Sequence, residues 1–232
     1  MARYVIADIH GGAKTFQALL DKINLRLKDC LYLLGDYVDR GPDCKGVLDI
    51  ILQLAEAGYD VRPIRGNHDD MMLRCATGNH DTFSEYWMES WGRETLKSFG
   101  VEHPVDLPFC YVTLIESMPY IRFDDQFVFV HAGLDMNKPD PIMESSSISM
   151  TWGENGNIKI ERLGGRKLVT GHKINPLVLI KKSVSKNHIL LDNGAFTNEH
   201  PHFGNLVALN LDTQEFIVQP WCDGNSIYIS AE

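Results

Sequence analysis

Apolar residues along this chain alternate between short unbroken runs of strand length and stretches where they recur every third or fourth position. Tyr4 to Ala7 is the first run and predicts a short buried strand. Phe16, Leu19, Leu20 and Ile23 follow on one face of a helix. Leu31 to Leu34 and Val61 to Ile64 repeat the strand signal. Between them Val47, Ile50, Ile51 and Leu54 mark a second amphipathic helix, with Gly58 as its C-cap. Strand–helix–strand–helix–strand calls for parallel pairing through right-handed crossovers. In open sheets of this kind, sites collect beyond the carboxyl ends of the strands.

The pattern changes over residues 71–100, where Met71, Met72, Leu73, Trp87, Trp91, Leu96 and Phe99 sit among polar residues. This predicts a helical excursion that forms a lid or wall over the strand ends. Equally, Trp87 and Trp91, four apart, can serve only to pack their helix on the core. Phe127 to Val130, Leu168 to Thr170 and Ile189 to Leu191 read as further short strands. Leu206 to Leu211 and Phe216 to Gln219, joined by Asp212-Thr213-Gln214, read as a hairpin. Residues 135–165, rich in Pro, Ser, Gly and Asn, read mostly as loop. With no linker signal and no internal repeat, the expectation is one domain over 1–232, with two sheets packed together and helices outside.

Composition narrows the partners. At 232 residues with 44% hydrophobic residues the chain is long enough for a sizeable core. A formal charge of −9 argues against binding nucleic acid polymers or an anionic membrane non-specifically. An anionic substrate would need local capture by metals and arginines. Cys30, Cys44, Cys75, Cys110 and Cys222 are scattered, with no CxxC pair, which speaks against a disulfide framework or a thiolate zinc site. Reduced thiols in a cytoplasmic protein are the expectation. No apolar stretch is long enough to span a bilayer, and no signal-like segment precedes the first strand.

The chemistry lies in five segments, almost all of them following an apolar run. They are Asp8-Ile9-His10-Gly11, Gly35-Asp36-Tyr37-Val38-Asp39-Arg40-Gly41, Arg65-Gly66-Asn67-His68-Asp69, Val130-His131-Ala132-Gly133 and Thr170-Gly171-His172. Each alone is weak, and the glycines alone are explained by tight turns. Together they bring two carboxylates, one carboxamide and three imidazoles to one sheet edge, a set that holds two metal ions side by side. Hard oxygens mixed with imidazoles, and no thiolate, suit manganese, iron or zinc.

In this order the motifs resemble those of the calcineurin-like metallophosphoesterases, and within them the phosphoprotein phosphatase family in its short bacterial and phage-lambda-like form. The likeness runs from Asp8 to Asp192-Asn193-Gly194-Ala195, and Gly-Asp-x-Val-Asp-Arg-Gly is its most specific part. It implies an α/β fold, a four-layer αββα sandwich of two mixed sheets flanked by helices. It also implies two divalent ions, Mn2+ first and Fe or Zn as alternatives. Asp8 and His10 would bind one ion, Asp36 would bridge, and Asn67, His131 and His172 would complete the other. A shared water of lowered pKa would then attack phosphorus in line. His68 would be the general acid, with Asp39 holding its other nitrogen. Arg40 and Arg65 would clamp phosphate oxygens. The plainer readings are a hydrogen-bonded core histidine for His68, a turn cap for Asp39 and a surface pair for Asp39 with Arg40. Asp69 and Asp70 are either supporting partners of the site or the N-terminal charge of the next helix. His80, His103, His188, His200 and His202 read mostly as surface or loop histidines.

The resemblance implies hydrolysis of phosphate monoesters, on phosphoserine or phosphothreonine of a phosphorylated protein. The alternative is the symmetrical diadenosine tetraphosphatase reaction, which uses the same motifs on a nucleotide phosphoanhydride. A non-catalytic metal-binding scaffold is the third reading, and the His68–Asp39 pair argues against it. One departure stands out. Lambda-type relatives carry an arginine just after a tryptophan, whereas Thr151-Trp152-Gly153-Glu154-Asn155 has none, so Arg162 or Arg166 is expected to stand in.

Overall fold

Alternating strands and amphipathic helices over the first third of the chain assemble as the sequence predicts. In a computed structural model describing residues 1–79, 81–197 and 201–224, Arg3–Ile6 (β1), Cys30–Leu33 (β2) and Asp60–Pro63 (β3) pair in parallel. His80 and His200 lie outside the described residues. Each strand starts one position earlier than its apolar run. Ala13–Ile23 (α1) and Cys44–Glu56 (α2) are the crossovers. Phe16, Leu19, Leu20 and Ile23 are all buried on α1, and α2 buries Val47, Leu48 and Ile51. Gly58 adopts φ 84° just past the end of α2, a conformation that glycine reaches without strain.

The excursion after β3 carries three helices: Asn67–Ala76 (α3), Thr82–Ser90 (α4) and Gly92–Phe99 (α5). It is followed by Phe109–Ser117 (α6), which the sequence reading missed. A second sheet then forms from Ile121–Phe123 (β4), Phe127–Val130 (β5), Lys167–Thr170 (β6) and His188–Leu190 (β7). Here β5, β6 and β7 run parallel and β4 pairs antiparallel with β5. The segment expected as loop carries Pro141–Glu144 (α7) and Ser147–Trp152 (α8), and Leu177–Ser183 (α9) precedes β7. Finally Asn205–Asn210 (β8) and Phe216–Pro220 (β9) form the expected hairpin. It joins the free edge of β1 and gives the first sheet the order β3-β2-β1-β8-β9.

The period-two alternation of the strands divides the apolar residues among layers. Val5, Tyr32, Phe129, Val169, Ile189, Val207 and Leu209 fill the space between the two sheets, where the Tyr32 and Phe129 rings stack 4.0 Å apart. Their neighbours Ile6, Leu31 and Leu33 face α1 and α2. Val128, Val130 and Leu168 face Met150 and Leu163 on the opposite outside. Helix, sheet, sheet, helix is therefore the order of layers, in an α/β sandwich. Among the described residues no helix is long and apolar enough to cross a membrane.

Candidate metal centre

All the strands of the two parallel trios point their carboxyl ends at one rim. Asp8 and His10 follow β1, Asp36 follows β2, and Asn67 and His68 follow β3. His131 follows β5 and His172 follows β6. Apart from the half-buried His172, every one of these is buried. Asp36 Oδ2 sits at their centre, 3.5 Å from His10 Nε2, 3.4 Å from His131 Nε2 and 4.0 Å from His68 Nε2. Asn67 Oδ1 lies 2.9 Å from His131 Nε2 and 3.1 Å from His172 Nδ1. Two groupings able to hold a cation share Asp36: one adds His10 and His68, the other His131 and His172. The Asp8 carboxylate is held at this rim by the His172 backbone N–H, at 2.9 and 3.0 Å.

Unusual backbone geometry aims these side chains. Asp8, His10, Asp36, Asp39, Arg40 and His172 all adopt φ between 47° and 70°. That left-handed region costs a non-glycine residue about 1–3 kcal/mol. Neighbouring loops hold it in place, with His10 N donating to Asp36 O and Gly11 N to Tyr37 O. The Asp69 carboxylate ties the loop after β2 to the loop after β3, accepting from Asp36 N, Tyr37 N and Gly66 N. Gly66 and Gly171 admit no side chain, because an added Cβ would overlap the carboxylates of Asp36 and Asp8 respectively.

The protonation states suit a cation. His10 donates its Nδ1 proton to Val38 O at 3.0 Å, and His131 donates its own to Leu34 O at 2.8 Å. Both rings therefore present an Nε2 lone pair toward Asp36. Burial pushes His10, His68 and His131 well below the ordinary imidazole value and His172 down to about 4. Asp8 and Asp36 are driven well above the carboxylate range, first by burial and then by neighbouring carboxylates. Bare, this crowded set favours protonated carboxyls and neutral imidazoles; a divalent cation among them would take the place of those protons and accept the oxygen and nitrogen lone pairs together.

Beside this centre His68 places Nδ1 2.6 Å from Asp39 Oδ2. Asp39 also accepts from Trp87 Nε1 and from Thr95 Oγ1, the latter at 2.5 Å. Burial lifts Asp39 to about 7, against those hydrogen bonds. Arg40 lies between the rings of Trp91 and Phe196, 5.1 and 4.5 Å from their centroids. Its Nη2 is 3.5 Å from His68 Nε2, and its buried Nε has no partner among the described residues. Tyr86, Trp91, Trp152, Ile174 and Phe196 wall a cleft of about 170 Å³ that opens onto Arg40, His68 and Asp192. The 71–100 excursion therefore supplies both the wall and the packing: Tyr86 and Trp91 line the cleft, while the fully buried Trp87 holds Asp39.

Arg65 is not at this cleft. Its guanidinium donates to the carbonyls of Ile115, Glu116 and Met118, to Asp70 and to Tyr120 Oη, bracing the start of α3 against α6. Neither expected substitute for the missing arginine reaches it either. Arg162 donates to the carbonyls of Met136, Lys138 and Pro139, and Arg166 donates to Asp124 O and lies over the Phe123 ring. Two groups went unread in the sequence. Trp87 and Thr95 as donors to Asp39 left no signal there. Asp192 did, because it follows the apolar run before it as the other site residues follow theirs. His188 is half-buried, its Nε2 2.9 Å from Thr170 Oγ1, whereas His103 and His202 are exposed.

Comparison with known proteins agrees with this geometry. The family described as calcineurin-like phosphoesterase matches residues 1–216. A symmetrical bis(5'-nucleosyl)-tetraphosphatase of an Acidovorax species is 44% identical over 79 residues, covering 34% of this chain and 27% of that protein. Its counterpart from Nitrosomonas europaea is 30% identical over 139 residues, covering 58% of this chain and 45% of that one. The chain thus spans less than half the length of these curated relatives. A crystal structure provisionally identified as a diadenosine tetraphosphatase superposes with a TM-score of 0.62 at 18% identity, covering 96% of this chain and 95% of the other. A serine/threonine phosphatase from Saccharomyces cerevisiae gives 0.56 at 13% identity, covering 99% and 81%. At such identities the structures attest the fold alone.

Proposed function

We propose, for a chain that belongs to the calcineurin-like phosphoesterases, that it is a two-metal hydrolase of dinucleoside tetraphosphates, cleaving the central phosphoanhydride to two nucleoside diphosphates. The observation that carries the metal chemistry is the position of Asp36 Oδ2, within 3.4–4.0 Å of imidazole nitrogens from three separate loops. Asp8, His10 and Asp36 would hold one ion, and Asp36, Asn67, His131 and His172 the other, with manganese the first choice. When bound, the pair supplies charge neutralisation and a water acidic enough to attack phosphorus. Arg40 offers a planar fork of donors, already oriented by two rings, to the phosphate oxygens. Asp39 fixes the His68 ring so that Nε2 faces the leaving oxygen and the imidazolium is stabilised.

The names of the curated relatives favour a dinucleoside substrate. So do the partly exposed Tyr86 and Trp152 rings at the cleft mouth, since aromatic faces stack on nucleobases. Hydrolysis of phosphoserine or phosphothreonine is the second reading, supported by Gly35-Asp36-Tyr37-Val38-Asp39-Arg40-Gly41. One experiment separates them. Manganese-reconstituted protein is given diadenosine tetraphosphate or a phosphothreonine peptide at equal enzyme, and products are resolved by chromatography. Rapid release of two ADP per substrate, with slow phosphate release from the peptide, is the expected result. The reverse ranking overturns the nucleotide reading, and turnover that survives exhaustive chelation overturns the metal reading.

A further inference from the structure

Trp91 stands at the joint of α4 and α5, buried, with its backbone fixed on both sides. Its N–H donates to Trp87 O, and its carbonyl accepts from Glu94 N and Thr95 N. From this post its ring meets three other residues that line the cleft. The Arg40 guanidinium lies over it, 5.1 Å from the centroid. The His68 ring is 4.6 Å away, tilted by 57°. The Tyr86 ring makes a T-shaped contact at 5.3 Å.

Arg40 needs a support of this kind. A guanidinium beside a buried site is commonly fixed by a carboxylate, which occupies the N–H groups that a phosphate would take. Among the described residues no carboxylate pairs with Arg40, its Nη2 approaches only the His68 Nε2 lone pair, and its Nε has no partner. Aromatic faces hold the cation by its charge and leave the N–H edge open. Phe196, 4.5 Å from the guanidinium, gives the same kind of support, but its ring also meets His10, so Trp91 is the cleaner position to test.

We propose that Trp91 is a positioning residue, which holds the Arg40 guanidinium for a phosphate and the His68 ring for the leaving oxygen, so that the two keep one spacing. This rests on reading Arg40 as the clamp and His68 as the acid. The test uses manganese-reconstituted wild type, Trp91→Leu, Trp91→Phe, Arg40→Ala and the two double variants. Affinity for inorganic phosphate is measured by calorimetry, and KM and kcat on nitrophenyl phosphate and on an alkyl phosphate. Trp91→Leu is expected to weaken phosphate binding and raise KM by about 5–30-fold, with kcat on nitrophenyl phosphate nearly unchanged. On the alkyl phosphate kcat should fall as well, by up to about 10²-fold, because the proton donor is loosened. Trp91→Phe keeps an aromatic face and should lose only about 2–5-fold in phosphate affinity. In the Arg40→Ala background neither substitution should weaken phosphate binding further.

Losses of phosphate affinity that are as large without Arg40 as with it would overturn the proposal and assign Trp91 to packing alone. The phenylalanine variant carries this comparison by itself if the leucine variant does not fold. An unchanged kcat on the alkyl phosphate would remove the part of the proposal that concerns His68. Arg40→Ala with wild-type phosphate affinity would defeat the clamp reading itself, and the role of Trp91 with it. A wild type that binds phosphate through Arg40 yet turns nothing over would defeat the hydrolase reading and leave the support of Arg40 by Trp91 standing.

Discussion

The two parallel trios of strands build one rim by different means. Beyond β1–β3, five non-glycine residues are held left-handed: Asp8, His10, Asp36, Asp39 and Arg40. Beyond β5–β7, among the described residues, His172 alone is so held. The first trio carries most of the charge and most of the strain, and its loops brace one another through the Asp69 carboxylate. The second trio contributes two imidazoles whose orientation is borrowed from the first: His131 donates to Leu34 O, and the His172 backbone is anchored on Asp8. One sheet sets the geometry and the other is fitted to it. The antiparallel strands β8 and β9 widen the first sheet, and β8 adds Val207 and Leu209 to the core between the sheets.

The contrast can be broken most severely at its centre. Asp36→Asn should bring turnover to background and abolish binding of both ions, as read by calorimetry. His131→Asn should remove one ion and leave the other measurable. Equal loss in both variants would mean that the first trio has no privileged role. His68→Asn comes next, slowing alkyl phosphates by about 10²–10⁴-fold while sparing nitrophenyl phosphate, whose leaving group hardly needs a proton. Identical losses on the two substrates would remove His68 as the acid.

Smaller effects sharpen the comparison. Gly66→Ala places a methyl group against the Asp36 carboxylate and should cost about 1–3 kcal/mol in denaturant unfolding, with activity falling alongside. Gly133→Ala, beyond β5, meets Asn155 and Gly153 O at 2.9 Å and should cost less. A change confined to acid pH concerns His188, which burial depresses to about 4. A depressed imidazole pKa means that the unfolded chain takes up the proton first. Its contribution is therefore fully present above pH 6.5 and is lost as pH falls toward 4. His188→Gln should flatten that acid limb by on the order of 1–3 kcal/mol, read from melts across the window.

Much of this was legible because strand ends and ligand chemistry leave marks in sequence. Leu31 to Leu34 followed by Gly35-Asp36 is both a strand and a site. Side-chain direction leaves no such mark. Arg65 adjoins Asn67 in the chain yet turns to the carbonyls of α6. Arg162 and Arg166 are likewise spent on local carbonyls. The α6 segment was missed because Phe109–Ser117 is apolar without a clear helical period, and β4 because its three residues are too few to show alternation. Within the segment read as loop, α7 and α8 are announced only by their caps, Asp140 and Ser146, whose side chains accept from Ile142 N and Ser149 N. Asp192 was visible by the same rule that found its partners.

The grip of Trp87 and Thr95 on Asp39 constrains how this scaffold can be recombined. A chimera that imports a foreign α4–α5 segment to change what enters the cleft would also exchange two of the donors that keep the histidine's companion carboxylate in place. Grafts that preserve an indole N–H and a hydroxyl at those two positions should turn over. Those that do not should fold, bind manganese and stay silent.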